Sequence, residues 1–553
     1  MSLAWTQHLV VVPIVLPLLC GAALAPLTQG WHRLKFAAAY ASALALLANA
    51  LALAALADGG WPGGIGVYLA ANWAAPFGIA LVADRLSAGM LVLTAVLALA
   101  ALHYAQPRWS RIGVHFHTLF QFLLMGINGA FLTHDLFNLF VFFEVMLAAS
   151  YGLVLHGYNV ERLRASLQYI AVNLVAALFF LVGTALLYAT TGTLNMADMA
   201  QRIAALAAGG QSSTLVLLQT GVAVLALAFL VKAAMWPLGF WLPTTYAAAS
   251  PPVAVMLVLM TKVGAYVILR LWLLLFGDGA GAAARYGYEA LAWGGMATIV
   301  FGAAGMLATD TAGRLAGYAA IVSSGTLLAV IGYGQPSLVT AALYYFIAST
   351  IAIAAFVLLI ELVDRIRTPG AAMLALTAEA FAVEDTPAEP KGRGVPAAMA
   401  FLSLAFAACA LTIAGLPPLS GFVAKFGMFH ALVNPGPDAP AIGPAGWTLM
   451  ALVFVSGLAA IVSLMRFGVR TFWATEAVAP PALHAAEVVP VAALLLVSVL
   501  LTVQARPVFD YLARASEDIH RPALYIDRVL GTRPVPAPLP ANVPGSASAG
   551  EAP

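Results

Sequence analysis

The sequence predicts an all-α polytopic membrane protein of about 14 transmembrane helices, built on two inverted repeats of five helices, with helices 7 and 12 broken. Composition is the first reason: 63% of the 553 residues are hydrophobic and 9% are charged, against roughly 45–50% and about 25% in soluble domains. The second is length, because the apolar residues fall into runs of about 20, enough to cross a bilayer core about 30 Å thick. The third is that two of these runs contain proline close to a lysine, Pro237 after Lys232 and Pro417 and Pro418 before Lys425.

Taken in order, residues 1–110 hold three spans, near 8–26, 36–57 and 84–104. The stretch "CGAALAP" (20–26) has the small residues a signal peptidase accepts, but no Lys or Arg precedes it, so it is expected to stay as the first helix. "GGWPGGIG" (59–66) lacks a Gly-Lys-Ser/Thr continuation and reads as an external loop, not a phosphate cradle. Residues 111–280, the first repeat, hold spans near 115–133, 136–156, 163–190, 215–242 and 250–276. His115 and His117 stand at a span start beside Arg111, where an interfacial anchor is a simpler reading than a metal site. Residues 281–475, the second repeat, hold spans near 287–308, 311–332, 338–361, 398–433 and 446–468; Gly302 and Gly305 suit close helix packing. Residues 362–397 mix charge with Pro and Gly and read as a cytoplasmic connection, whose "AAMLALTAEAFA" suits a short surface helix. Residues 476–553 hold a last span near 485–505 and a tail, of which 533–553 reads as disordered.

Loop charge orients the chain, since Lys and Arg concentrate on the cytoplasmic side. With both termini outside, the inward loops collect 13 basic residues, among them Arg108, Arg162, Arg314, Arg365 and Arg466, and the outward loops only Arg202 and Arg285. The segment from Arg506 onward adds five outside, but it follows the last span. The net charge of +2 points to no nucleic acid, and Cys20 and Cys409 lie in apolar runs without CxxC or Cys/His spacing, so neither disulfide nor metal is indicated.

Only five lysines occur, and Lys232, Lys262 and Lys425 fall inside spans. Snorkelling is the bland reading of such a residue, but Lys232 and Lys262 sit about ten residues from the nearer span end, too deep for that. An intramembrane charge costs about 2.5–3.5 kcal/mol on translocon scales, so three of them suggest use. Glu144 is the one acidic residue near the middle of a span; Asp84, Asp135, Asp310 and Glu361 all fall at span ends. At about 4 Å and an effective dielectric near 20, a Glu–Lys pair gains of order 4 kcal/mol. A fixed ion pair and a proton carrier tuned by its neighbour are both open on these residues. Non-helical backbone at membrane depth survives where it is buried in protein or lines a watery cavity, and paired discontinuous helices mark ion pathways in transporters built from inverted repeats. Asn173, Ser349 and Thr350 suit a hydrated path, or equally satisfy one another across helices.

Three stretches carry a resemblance: "HDLFNLFVFFEVMLAASYGLVLHG" (134–157), "FLVKAAMWPLGFWLPTTYAAASPPVAVMLVLMTKVGAYVILR" (229–270) and "LTIAGLPPLSGFVAKFGMF" (411–429). Over about residues 80–475 the chain resembles the D-type subunits of the multisubunit Mrp/Pha-type monovalent cation/proton antiporters, which share a superfamily with proton-pumping subunits of respiratory complex I and membrane-bound hydrogenases. The resemblance implies a 14-helix core and a proton path through a fifth-helix glutamate and lysines in helices seven, eight and twelve, motifs occupied here by Glu144, Lys232, Lys262 and Lys425. Lysine at 425 favours the D-type antiporter subunits over the complex I subunit with glutamate there. Some relatives carry a tenth-helix histidine where this chain reads "GYAAIVSSGTLLAV", so a link past Ser323 and Ser324 would rest on water and hydroxyls. Also implied are exchange of Na⁺ or K⁺ for H⁺, partner subunits in a hetero-oligomer, contact with lipid, a bacterial inner membrane, and no cofactor. A pumping subunit of a redox complex is the alternative, and a scaffold with unused charges a third reading.

Overall fold

In the computed structural model, residues 4–157, 159–209, 212–367, 397–434, 442–472 and 483–535 are described. Helices stand at every predicted span: α1 (Val12–Leu24), α2 (His32–Ala55), α3 (Arg85–Ala105), α4 (Phe116–Leu132), α5 (Leu136–Val154), α6 (Val160–Thr191), then α7 (Met196–Ala208), which lies outside the predicted spans. The seventh span is split into α8 (Ser212–Lys232) and α9 (Leu242–Ala248), and the eighth is α10 (Pro251–Leu275). α11 (Tyr288–Ala308), α12 (Ala312–Tyr333) and α13 (Pro336–Asp364) follow; the twelfth span is split into α14 (Ala397–Ala414) and α15 (Ser420–Val433); α16 (Pro444–Phe472) and α17 (Ala485–Val503) complete the set. Among the described residues, 12 helices are long and apolar enough to cross a membrane, and α1, α4 and α15 are shorter apolar helices.

Local chemistry sets the ends. The Asp84 carboxylate accepts from the backbone N–H of Ser87 at 2.9 Å while the Ser87 hydroxyl accepts from the N–H of Asp84 at 2.9 Å, a reciprocal cap that starts α3. Asp135 starts α5 by accepting from Asn138 N–H at 2.8 Å. Pro251 and Pro336 occupy first turns, where a missing N–H costs nothing.

The span-end acids are thus caps and ion-pair partners. Glu361 accepts from the Tyr104 hydroxyl, Trp109 Nε1 and Arg108, each at 3.0 Å, and Arg365 bridges Glu361 at 3.3 Å to Glu487 at 2.6 Å. This hub ties α3, α13 and α17 together at the arginine-rich end of the bundle.

At the centre lie α10, α12 and α13. Every residue of α10 from Pro252 to Leu275 is buried, as expected for a helix apolar on all faces. Around them, α6, α14 and α17 leave Leu167, Leu174, Leu178, Leu404, Leu496 and Val503 exposed, an apolar outer surface suited to lipid. Gly302 and Gly305 of α11 let α12 approach so closely that an added methyl would overlap Val322 and Tyr318.

Three details differ from expectation. The glycine-rich 59–66 loop leads into a hairpin, β1 (Gly66–Leu69) antiparallel to β2 (Ala80–Ala83). His117 is no surface anchor: it is buried, packed in edge contact with Phe36 and Phe116, whereas His115 is exposed. The segment after the last span is not simply tail, since α18 (Ala505–His520) and α19 (Pro522–Gly531) fold back over the end of the bundle opposite the arginine-rich loops. Arg85 joins Asp58 at 3.2 Å to Asp518 at 2.5 Å, and Arg514 reaches Asp58 at 2.9 Å. The surface helix expected in "AAMLALTAEAFA" and, from residue 536 on, the disorder expected over 533–553 lie outside the described residues.

At that same end Arg270, on α10, is buried and paired with the buried carboxylate of Asp84. Tyr525 of α19 covers the pair, its ring 5.9 Å from the Arg270 guanidinium and 5.2 Å from the His134 ring. Burial, with the Arg270 guanidinium beside it, lowers the titration of His134 well below that of a free imidazole.

Candidate functional site

α8 ends on Lys232, and the backbone does not resume a helix until Leu242. Pro237 lies in this gap, and Ala234 takes a positive φ of 56°. The polar groups the break releases find partners: Trp241 Nε1 donates to the carbonyl of Val231 at 3.2 Å, and the N–H of Trp236 donates to the Thr298 hydroxyl at 2.9 Å. The second break spans residues 415–419 and contains Pro417 and Pro418. Both breaks expected from proline are present.

Lys232 is buried and does not touch a carboxylate. Its Nζ donates to Asn173 Oδ1 at 3.1 Å and lies 3.5 Å from the Tyr169 hydroxyl, which meets the Ser150 hydroxyl at 2.8 Å. Glu144 is half-buried and close enough for its charge to act on Lys232, but no hydrogen bond or ion pair joins the two among the described residues. The direct 4 Å pair considered from sequence is thus replaced by an amide and a phenol. Asn173 was legible as a polar residue in an apolar run; Tyr169 was not, because an aromatic ring in a membrane helix reads as packing.

Lys262 is completely enclosed in the middle of α10. Its Nζ donates to the Ser323 hydroxyl of α12, and Ser323 meets Ser349 of α13 at 2.7 Å. The ring of Phe346 lies 5.6 Å from Nζ and adds a cation–π contact. Ser324 points elsewhere, its buried hydroxyl unpartnered among the described residues, and Thr350 donates to the Phe346 carbonyl at 2.6 Å.

Lys425, in α15, donates to the carbonyl of Ala414 at 2.7 Å. That carbonyl is the last of α14, where a helix leaves acceptors unfilled and its dipole favours a cation. Two glycines make the contact possible. Gly415 turns the chain at φ +81°, and a Cβ there would sit 2.5 Å from Lys425 Cδ; a Cβ on Gly457 would lie 3.0 Å from Nζ. Gly415→Ala is therefore expected to cost about 1 kcal/mol or more in backbone strain and to push the ammonium off Ala414, with exchange lost more steeply than thermal stability when both are measured on the assembled protein.

A polar crevice of about 710 Å³ opens between α6 and α9 on one side and the start of α12 on the other, at the arginine-rich end, with Glu161, Arg164, Gln168, Thr244, Asp310 and Arg314 in its walls. A second, of about 240 Å³, reaches Tyr246. The Tyr246 hydroxyl meets Thr261, the neighbour of Lys262, at 2.7 Å, while Gln168 adjoins Tyr169, the neighbour of Lys232. Neither crevice includes Lys232 or Lys262 in its walls.

Residues 133–442 match the family described as "NADH:quinone oxidoreductase/Mrp antiporter, TM". The chain is 51% identical, over 95% of its length and 98% of the relative's, to a protein of Rhizobium meliloti (strain 1021) named as the D subunit of a probable K(+)/H(+) antiporter. The chain belongs to the D-subunit family of multisubunit cation/proton antiporters. Within that family it is 31% identical to the D subunit of a Na(+)/H(+) antiporter of Bacillus subtilis (strain 168), over 95% of this chain and 99% of that one. Its fold matches a chain in "Structure of Mrp complex from Dietzia sp. DQ12-45-1b" with a TM-score of 0.77 and 26% identity, over 96% of this chain and 100% of the other. Membership makes this a multi-pass transport subunit, and the lysine-bearing stretches at 229–270 and 411–429 fall inside the matched region.

Proposed function

We propose that the chain translocates protons as one subunit of a hetero-oligomeric monovalent cation/proton antiporter in a bacterial inner membrane, with both termini external. The 51% identity to a relative named for K⁺/H⁺ exchange makes K⁺ the first cation to test, ahead of Na⁺. In this reading Lys232 takes up a proton, Glu144 tunes its hold electrostatically, Lys262 passes the proton laterally, and Lys425 delivers it. The observation that carries the reading is that three enclosed lysines each rest on a neutral oxygen: Asn173 Oδ1, the Ser323 hydroxyl and the Ala414 carbonyl. An ammonium held by carboxylates is pinned as an ion, whereas one held by neutral acceptors releases its proton without leaving an anion behind. The two helix breaks place polar backbone beside two of the three, and the crevice on the arginine-rich side supplies a water-facing approach.

The test is cation-driven proton movement in inverted vesicles carrying the whole assembly, with assembly of each variant confirmed. Lys232→Ala is expected to abolish exchange and Glu144→Ala to lower it strongly. Proton movement that requires a redox substrate would instead place the chain in a respiratory assembly, and full exchange by Lys232→Ala would reduce the charges to scaffold.

A further inference from the structure

At the end of the bundle opposite the arginine-rich loops, α18 roofs an open groove of about 370 Å³ between α2, α3, α13 and α17. Gly89, Val92 and Val96 of α3 line it, with Ile347 of α13, Leu501 of α17 and Tyr511 of α18. Its walls are apolar, and the Tyr511 hydroxyl is engaged elsewhere, donating to the carbonyl of Arg85 at 2.8 Å. On its flanks Leu51 of α2 and Val499 and Leu500 of α17 are exposed. From Gly89 to Val96 the groove follows α3 for about 10 Å, most of the roughly 15 Å of hydrocarbon in one leaflet.

Gly89 keeps this groove open. It lies inside α3, where glycine is destabilising relative to alanine, and no close helix contact calls for it. A Cβ there would meet only Tyr511 Cε1, at 3.9 Å, whereas one on Gly302 or Gly305 would overlap α12. The groove also reaches the core: from Ala341 to Leu359 of α13 only Ile347 is not fully buried, and the groove is where it emerges. Spread over its length, 370 Å³ is about 7 Å wide, too narrow for a helix about 10–12 Å across but wide enough for one hydrocarbon chain.

We propose that this groove is a binding site for one zwitterionic phospholipid, with an acyl chain along Gly89, Val92 and Val96 and the headgroup at the rim formed by α18. Leu512, Ala515 and Ile519 of α18 are buried while Arg506 and Asp510 are exposed, so the helix lies on the bundle with its charged face outward, as an interfacial helix does. Arg506 stands beside Pro507 of the groove wall, Asp510 lies one turn on, and neither makes an ion pair among the described residues. A guanidinium takes a phosphate through parallel hydrogen bonds and a carboxylate accepts from an ammonium, so the rim matches a headgroup carrying both charges. Water is a poor occupant of an apolar space, whereas a hydrocarbon chain restores the contacts its walls lack. The chain passes Ile347, next to Phe346, whose ring covers Lys262, so the lipid becomes part of the packing behind α13.

The test is to purify the assembled complex from membranes holding phosphatidylethanolamine and phosphatidylglycerol and to count retained lipids by native mass spectrometry. Gly89→Phe and Val96→Trp fill the groove from its two ends, while Gly89→Ala leaves it room. Native protein and Gly89→Ala are each expected to keep one phosphatidylethanolamine that both filled variants lack, and Arg506→Gln to hold it about fivefold more weakly. An equal lipid count in native protein and both filled variants would overturn the site, and retention of phosphatidylglycerol in preference would overturn the headgroup assignment. A p-benzoylphenylalanine in place of Val92 identifies the occupant in otherwise native protein: a photoadduct with phospholipid is expected, and one with a neighbouring subunit would overturn the proposal. Lipid retention is read without exchange, so the outcome is independent of the lysines.

Discussion

Replacing Lys262 by methionine is expected to abolish exchange while leaving the protein at least as stable as before. The two readouts move apart for a physical reason. Methionine occupies similar space without a proton to pass, and loss of one acid–base group from an obligatory transfer typically costs about 100-fold or more in rate. Stability behaves otherwise, because a charge in the membrane interior costs about 2.5–3.5 kcal/mol on translocon scales, and the surroundings of Lys262 offer one hydroxyl and one aromatic face in return. Lys262→Arg sharpens the result: a guanidinium keeps the charge but does not give up its proton, so this variant is expected to be inactive too. Exchange measured beside thermal unfolding of the assembled complex checks both claims. A stable Lys262→Met variant that exchanges normally would remove this residue from the path.

The opposite pattern is expected at the far end of the same helix. Asp84→Asn leaves the buried Arg270 guanidinium without its counter-charge, and breaking one side of a buried pair costs about 3–5 kcal/mol. Asparagine is as good a helix cap as aspartate, so loss of the α3 cap does not confuse the measurement. Adding Arg270→Met to the same chain removes the stranded charge and is expected to recover most of the stability. Unfolding of the three variants in detergent or bilayer decides the matter; a double variant no better than Asp84→Asn would show that the pair's charge is not what holds this end together.

The parts of this protein that were legible in its sequence are those where solvent forces a choice. A lysine in a 20-residue apolar run cannot be incidental surface, so Lys232, Lys262 and Lys425 stood out, and Pro237, Pro417 and Pro418 located the breaks because a missing N–H cannot be hidden in a helix. Partners were harder to read. Asp84, Asp135 and Glu361 announced themselves as span-end acids but not their mates, since the contact of Asp84 with Arg270 or of Arg365 with Glu487 joins segments over 100 residues apart. Glu144 and Lys232 suggested a direct pair because both are charged, yet a neutral amide took the contact. The helices after Val503 escaped notice because Val508, Leu512, Ala515 and Ile519 form a stripe too short and too interrupted by charge to look like a span, although their spacing of three and four is helical.

Those last helices have a consequence for how the chain comes into being. Synthesis runs from the N-terminus, so α10 enters the membrane long before Tyr525 exists to cover the Arg270–Asp84 pair, and before Arg514 and Asp518 exist to meet Asp58 and Arg85. Every residue of the proposed relay is already made when the chain reaches Val503, yet the end of the bundle stays unsealed until about thirty more residues emerge. The polypeptide thus finishes its machinery first and its closure last, and a chain that stops at Val503 holds every working lysine but leaves Asp58, Arg85 and the Arg270–Asp84 pair uncovered.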